Sequence, residues 1–147
     1  MFNILRGLIA GAVATFVAAI VILIKNSLGI NPNLSTMPLL TDAVTHGDTL
    51  IVSPLLGWVM HFVIFTLLWS FAFALLAGKG SPYRPRTFSL GFSLFAWLIM
   101  MSVLMPWAGN GLFGLEAGWS TPLITLVLHL VWGWVLGFVY DLLPSAS

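Results

Sequence analysis

Two histidines inside long apolar stretches are the residues of this sequence best placed to do chemistry. His61 and His129 each lie seven residues after a proline that follows Ser or Thr, which places both about 10 Å along a helix at a rise of about 1.5 Å per residue. Two imidazoles at one level suit the paired axial ligands of a b-type haem, or a copper or zinc ion. They also suit a hydrogen bond between packed helices, which is the interpretation favoured for two histidines without further ligands.

Other signatures of catalysis are missing. The chain has no cysteine, so it has no disulfide, thiolate metal site or cysteine nucleophile. It also lacks a GxSxG elbow, a Walker loop, an HExxH helix and acids deep within an apolar stretch. We therefore expect a protein that is not an enzyme, with haem b as the one cofactor to test for and no dedicated metal site.

The composition indicates an integral membrane protein. Of the 147 residues, 60% are hydrophobic and 6% are charged, whereas an ordinary soluble domain has about 25% charged residues. This balance excludes a soluble globular protein. The net charge of +1 leaves no basic surface able to neutralise several phosphates, which excludes nucleic-acid binding.

Four apolar runs are long enough to cross a bilayer. A hydrocarbon core about 30 Å thick requires about 20 apolar residues for each helical crossing. The predicted spans are residues 4–24, 54–77, 87–105 and 122–143. Together they fill a single transmembrane domain over residues 1–147, so the predicted fold class is an all-α membrane protein with four transmembrane helices.

The basic residues predict the orientation of these helices. Lysines and arginines in short loops stay on the cytoplasmic side of a membrane. Arg6 precedes the first span, and Lys79, Arg84 and Arg86 lie between the second and third spans. Both termini are therefore expected in the cytoplasm. Lys25, at the far end of the first span, is expected to snorkel to the outer interface.

An internal repeat divides the chain into two similar halves. A shift of 68 positions places Met37-Pro38 on Met105-Pro106, Asp48 on Glu116 and His61 on His129. The halves, residues 1–78 and 87–147, are joined by a predicted cytoplasmic loop, residues 79–86. Because both halves begin and end on one side of the membrane, we expect two parallel helical hairpins related by an axis along the membrane normal.

Both halves carry a Ser/Thr-Pro pair at the start of their second helix. Ser53 and Thr121 are expected to cap free backbone N–H groups. Pro54 and Pro122 fit the first helical position, where no N–H bond is lost. The pattern therefore predicts where these two helices begin.

Small residues recur at every fourth position on two of the spans. Such rows let helix backbones approach closely, which favours helix association in lipid. They are predicted contact faces, either within the bundle or towards a partner. The residues are Gly7, Gly11, Thr15 and Ala19 in the first span, and Gly133 and Gly137 in the fourth.

Several of these stretches resemble a known family. Residues 104–114 (LMPWAGNGLFG) and 128–140 (LHLVWGWVLGFVY), with Gly7 and Gly11 at the opening of the first span, are similar to a family of small prokaryotic four-helix membrane proteins catalogued as a domain of unknown function. The resemblance covers nearly the whole chain. It implies the four-helix topology and a location in a prokaryotic plasma (inner) membrane, and it carries no activity.

We expect a non-catalytic membrane protein that acts through helix packing, as an accessory subunit of a larger respiratory or photosynthetic complex. Its expected partners are membrane lipids and other membrane-protein subunits, or a second copy of itself. One alternative is an electron-transfer module in which His61 and His129 bind haem b or a metal. Another is a small transporter with its site between the two halves.

Overall fold

The computed structural model describes residues 2–32, 34, 38, 41, 45, 54–77 and 84–144, and most of these residues are helical. Four long helices carry the fold, and two of them contain a π-helical segment. Helix α1 is Phe2–Ser27; α2 runs through Pro54–Phe62, π-helical Val63–Trp69 and Ser70–Ala77; α3 runs through Pro85–Ile99, π-helical Met100–Leu104 and Met105–Trp107; and α4 is Thr121–Leu142, preceded by a 3-10 helix, Leu112–Ala117.

The prediction of four membrane-length helices is confirmed. Each is long and apolar enough to cross a membrane, and the described part of the chain contains no strand. The protein is therefore an all-α, multi-pass membrane protein. Helix α1 extends beyond its predicted apolar span because polar residues at its ends, Asn3 and Lys25–Ser27, continue the helix. Helix α3 extends by two residues at each end, Pro85-Arg86 and Pro106-Trp107.

Helix α4 is the centre of the bundle. It packs along both α1 and α3, whereas α2 packs mainly on α1. Within an apolar 18-residue window of each helix, half of the α4 window is buried, against 22% of the α2 window. Helices α2 and α3 meet mainly through a small contact between Ser70–Ala77 and Pro85–Ile99. The order around the bundle is therefore α2, α1, α4, α3, with α2 and α3 at its edges.

The small-residue row of α1 faces the inside of the bundle. Gly7 lies against Ala74 of α2, and a Cβ atom at Gly11 would overlap the side chain of Ser70. Further along the row, the Thr15 hydroxyl accepts a hydrogen bond from an indole N–H of α4, and Ala19 is buried. These residues therefore form internal contacts with α2 and α4.

The two glycines of α4 serve the contact with α3. A Cβ atom at Gly133 would overlap Ser93, and one at Gly137 would overlap Ser89. Both serine hydroxyls donate to carbonyl groups of their own helix, so their side chains lie flat against it. Small residues on both helices thus bring the α3 and α4 backbones together.

Aromatic side chains fill the middle of the bundle. Phe73 of α2, Phe92 of α3, and Trp132 and Tyr140 of α4 are buried and pack around alanines of α1. Their rings meet mostly edge to face, for example Phe73 and Tyr140 at 5.3 Å between centroids. This arrangement is the one that aromatic pairs favour.

Each π-helical segment has a local cause. In α2, the Ser70 hydroxyl donates to the Phe65 carbonyl at 2.7 Å, and the Ser70 backbone N–H is also directed at that oxygen. This pairing over five residues widens the helix. In α3, Pro106 has no N–H for the Ser102 carbonyl and its ring crowds that group, so the preceding turn, Met100–Leu104, widens instead.

Charged residues gather where α1 and α3 begin, which we name the basic end. Arg6 donates to the Tyr140 carbonyl at 2.8 Å, and its guanidinium lies 4.3 Å from the centre of the Tyr140 ring. Arg86 pairs with Asp141 at 3.0 Å, and the exposed Arg84 directly precedes α3. These contacts hold the ends of α1, α3 and α4 together.

At the opposite end, which we name the loop end, the first loop folds back on the bundle. The Lys25 ammonium donates to the Leu34 carbonyl at 2.8 Å, and Lys25 is buried. The returning loop thus supplies an acceptor for this ammonium, and the expectation that Lys25 snorkels to the outer interface stays a prediction. Leu34 itself is buried against Met101 and Met105 of α3.

The predicted cap at Thr121 is also wrong. Helix α4 already includes Thr121, its N-cap residue is Ser120, and no side chain caps it. The Thr121 hydroxyl instead accepts a hydrogen bond from Asn31 Nδ2 at 3.3 Å. Since Asn31 belongs to the first loop, this hydroxyl joins the loop to α4 rather than closing the helix start.

The two predicted helix-start prolines lie in the first turn of their helices. Pro54 begins α2 and Pro122 lies in the first turn of α4, where a missing N–H costs no helical bond. Ser53 and Lys79 lie outside the described residues.

The loop between α3 and α4 contains a run, residues 109–114 (GNGLFG), with the spacing of a GxGxxG motif. A dinucleotide-binding motif follows a strand and opens a helix, whereas this run follows α3 and enters a 3-10 helix. Gly109, Gly111 and Gly114 have φ values of 73°, 69° and 66°, so they serve the tight turn.

Candidate functional site

His129 lies near the middle of α4 with one ring nitrogen engaged. Its Nδ1 atom is 2.9 Å from the carbonyl oxygen of Thr125, one turn earlier. Because a carbonyl only accepts, Nδ1–H is the donor, and Nε2 of the neutral ring keeps its lone pair. The residue is 5% exposed. His129 therefore presents a hydrogen-bond acceptor inside the bundle.

His61 is buried on α2 without a hydrogen bond. Neither ring nitrogen has a partner among the described residues, although the residue is only 3% exposed. The Thr15 carbonyl lies beside the ring without completing a bond of acceptable geometry. Leaving a buried polar atom unpaired costs about 1–3 kcal/mol. A neutral imidazole here has one donor and one acceptor to offer.

Aromatic rings enclose His61 and connect it to His129. Trp58 and Phe62 lie 6.0 and 5.8 Å from His61 between ring centroids. The Phe65 ring lies 5.0 Å from His61 and 5.5 Å from His129, so it touches both histidines. The two predicted site residues thus both contact one phenylalanine.

Both histidines line one internal cavity of about 40 Å³. We name it the histidine cavity. Apart from the two imidazoles its walls are almost wholly apolar, and Leu34 from the first loop forms part of them. Its lining residues are Ala18, Ile22, Leu34, His61, Phe65, Met100, Met105, Thr125, Leu128, His129 and Trp132.

The residues around the histidine cavity do not fit a haem. A volume of about 40 Å³ has room for one or two water-sized groups, far less than a haem needs, and the Phe65 ring packs against both imidazoles. A metal site of three or more protein ligands is also not formed, because the described residues contain no such cluster of His, Asp or Glu. The geometry therefore favours hydrogen bonding over metal coordination.

A second, larger cavity separates the two edge helices. It has a volume of about 330 Å³ and is lined by both π-helical segments. We name it the α2–α3 opening. Phe65, Met100 and His129 line both cavities, so they form the wall between them. The other lining residues are Ile64, Leu68, Trp69, Ala96, Ile99, Val103, Leu104 and Trp107.

Comparison with known proteins places the chain in a family. A family model described as "Family of unknown function (DUF6789)" matches residues 1–147. The chain belongs to this family. The family-level prediction from the resemblance, a domain of unknown function over nearly the whole chain, is confirmed. No curated protein and no solved structure matches this DUF6789 protein.

Sequence reasoning found the two histidines of this DUF6789 protein but missed that Phe65 contacts both of them. Phe65 was visible only as the residue one turn after His61. The π-helical segments and the α2–α3 opening were also missed. Ser70 and Pro106, whose hydroxyl and ring widen the two helices, were the available signals.

Proposed function

We propose that this DUF6789 protein is a non-catalytic membrane protein that acts through helix packing, as an accessory subunit of a larger energy-converting complex. The observation that carries this proposal is the uneven burial of the bundle. Within an apolar 18-residue window of each helix, α2 is 22% buried, against 33% for α3, 44% for α1 and 50% for α4. We further propose a prokaryotic plasma membrane as its location and cytoplasmic termini, on the basis of the resemblance and the basic residues.

The outward face of α2 is the surface proposed to receive a partner subunit. The glycine rows of α1 and α4 are used inside the bundle, so they leave no close-packing surface for a partner. Large side chains on α2 point away from the bundle, with Leu55 70% exposed and Phe71 42% exposed. A transmembrane helix of a partner buries such side chains by van der Waals packing.

Gentle solubilisation followed by native electrophoresis tests this proposal. The tagged protein is expected to migrate with companion membrane subunits, which are then identified by mass spectrometry. Migration as a lone monomer contradicts the accessory role. The composition of the companions also tests whether the complex is respiratory or photosynthetic.

Two matched substitutions locate the partner surface. Val59 on α2 is 48% exposed and Val13 on α1 is 42% exposed. Val59→Trp is expected to release the companions because it changes the proposed contact face. Val13→Trp is expected to retain them. Equal behaviour of the two variants, whether both retain or both release the companions, contradicts the assignment of the surface to α2.

The bis-histidine module is the alternative that the histidine cavity argues against, although both imidazoles line it. A visible absorption spectrum of the purified protein tests it directly. The volume of the histidine cavity favours a spectrum without a Soret band. A Soret band that disappears in His129→Leu would establish haem binding instead, and metal analysis tests copper and zinc in the same preparation.

A further inference from the structure

The α2–α3 opening is accessible from the outside of the bundle. Its volume of about 330 Å³ lies at the lower end of the range of about 300–1,000 Å³ for small-molecule pockets. Leu68, Val103 and Trp107, which line it, are 61%, 60% and 64% exposed. A molecule dissolved in the bilayer therefore reaches this opening without crossing the bundle.

The π-helical segments are a second feature of this opening. Single π-helical turns are rare and occur frequently at functional sites. Here two of them, Val63–Trp69 and Met100–Leu104, lie on different helices and line the same opening. The backbone irregularity of the edge helices is thus concentrated around one space.

His129 lies in the inner wall of the α2–α3 opening. His129 lines both cavities, and its Nδ1–H is committed to the Thr125 carbonyl, so its Nε2 atom is an acceptor. Behind the wall, neither ring nitrogen of His61 has a partner among the described residues, and one of them is a donor in the neutral ring. A buried polar group without a partner is costly, which is why such groups are nearly always satisfied.

The hydrogen-bonding capacity of the His61 and His129 imidazoles indicates which chemical group would pair with both. A hydroxyl group donates one hydrogen bond, which His129 Nε2 accepts, and accepts another, which the His61 N–H donates. A carbonyl or an ether oxygen accepts only, so it leaves the His129 nitrogen unpaired. The apolar walls of the opening suit the hydrocarbon part of the same molecule.

We propose that the α2–α3 opening binds a lipid-soluble hydroxyl compound, of the class that includes isoprenoid alcohols and quinols, with its hydroxyl group placed between His129 and His61. The hydrocarbon part lies between α2 and α3. Met100, an unbranched and flexible side chain of the shared wall, is the residue that the head group displaces. This binding is independent of the accessory role, so either can fail without the other.

Titration with an alcohol and its methyl ether tests the hydroxyl assignment. Geranylgeraniol and geranylgeranyl methyl ether are titrated into the purified full-length protein in detergent by calorimetry, with decylubiquinol in parallel. The alcohol is expected to bind saturably and about tenfold more tightly than its ether, the effect of one hydrogen bond to a buried acceptor. Equal affinities, or no saturable binding of either hydroxyl compound, overturn the proposal. The relative affinities of geranylgeraniol and decylubiquinol then show which member of the class the opening prefers.

Two adjacent leucines provide a matched test of the location. Leu68 lines the α2–α3 opening and is 61% exposed, whereas its neighbour Leu67 does not line it and is 54% exposed. Leu68→Trp fills the opening and is expected to weaken binding of the alcohol at least about tenfold. Leu67→Trp is expected to leave the affinity within about twofold. Binding that is unchanged in Leu68→Trp, or equally weakened in both variants, overturns the location.

A third variant separates the hydroxyl contact from apolar binding. His129→Leu removes the proposed acceptor and keeps a side chain of similar bulk. It is expected to bind the alcohol and the ether with equal affinity, because the hydrogen bond donated to His129 is the one contact that the ether cannot make. A preference for the alcohol as large as that of the unmodified protein overturns the role of His129.

Discussion

His61 and His129, which the predicted repeat places at equivalent positions, differ in hydrogen bonding. The spacing from Pro54 and Pro122 predicted their depth, and both line the histidine cavity. Only His129 has a hydrogen-bond partner, the Thr125 carbonyl, while the His61 nitrogens have none among the described residues. Ring orientation decides this difference, and orientation depends on neighbours such as Phe65 that spacing does not specify.

Leucine substitutions at the two histidines are predicted to have opposite effects on stability. His61→Leu removes unpaired buried nitrogens and is expected to raise the free energy of unfolding by about 1–3 kcal/mol. His129→Leu removes a formed hydrogen bond and is expected to lower it by about 1 kcal/mol. Thermal unfolding in detergent, without added ligand, measures both. Shifts in the same direction would contradict the assigned bonding.

Helix contacts were only partly predictable at the scale of the elements. The glycine rows of α1 and α4 were visible as contact faces, but their partners became clear only from the serines and the alanine that fill the space opposite them. The repeat predicts that α2 and α4 are equivalent. In the bundle α4 is central and α2 is at the edge, so the repeat remains a prediction about the sequence.

A pair of glycine substitutions tests the contact between α1 and α2. A Cβ atom at Gly11 overlaps Ser70, whereas one at Gly91 meets open space. Gly11→Ala is expected to destabilise the fold by about 1–3 kcal/mol through overpacking. Gly91→Ala is expected to stabilise it by up to about 1 kcal/mol, because alanine favours the helix. Chemical or thermal unfolding of both variants provides the comparison, and equal stabilities would show that α1 and α2 are not in close contact.

The end of α3 shows why element boundaries differ from the sequence prediction. The predicted span ended at residue 105 because Pro106 does not continue a regular helix. The structure continues through Trp107, since the π-helical turn before Pro106 removes the conflict with the preceding carbonyl. A local widening of the backbone cannot be recognised from apolar periodicity alone.

At the scale of the whole molecule, composition determined the class but not the arrangement. A chain with 60% hydrophobic and 6% charged residues has few alternatives to crossing a membrane. The order of the helices around α4 depends on many weak contacts between distant residues. The α2–α3 opening follows from that order, so it was not predictable from any single motif.

The orientation of the bundle is predicted from its basic end. Arg6, Arg84 and Arg86 lie at the end where α1 and α3 begin, and positively charged loops stay in the cytoplasm. A green fluorescent protein fused after Ser147 is therefore expected to fluoresce, and alkaline phosphatase at the same position is expected to be inactive. The reverse pattern would place both termini outside.

The central structural claim is that His61 and His129 line one buried space and that both contact the Phe65 ring. Solid-state NMR of the protein in bilayers, with histidine and phenylalanine ¹³C-labelled, measures this most directly, since the chain has only 3 histidines. The ring distances of 5.0 and 5.5 Å predict through-space correlations from Phe65 to both imidazoles, and these are expected to disappear in Phe65→Leu. Correlation of the His61 ring with lipid or water signals, and not with Phe65, would contradict the account.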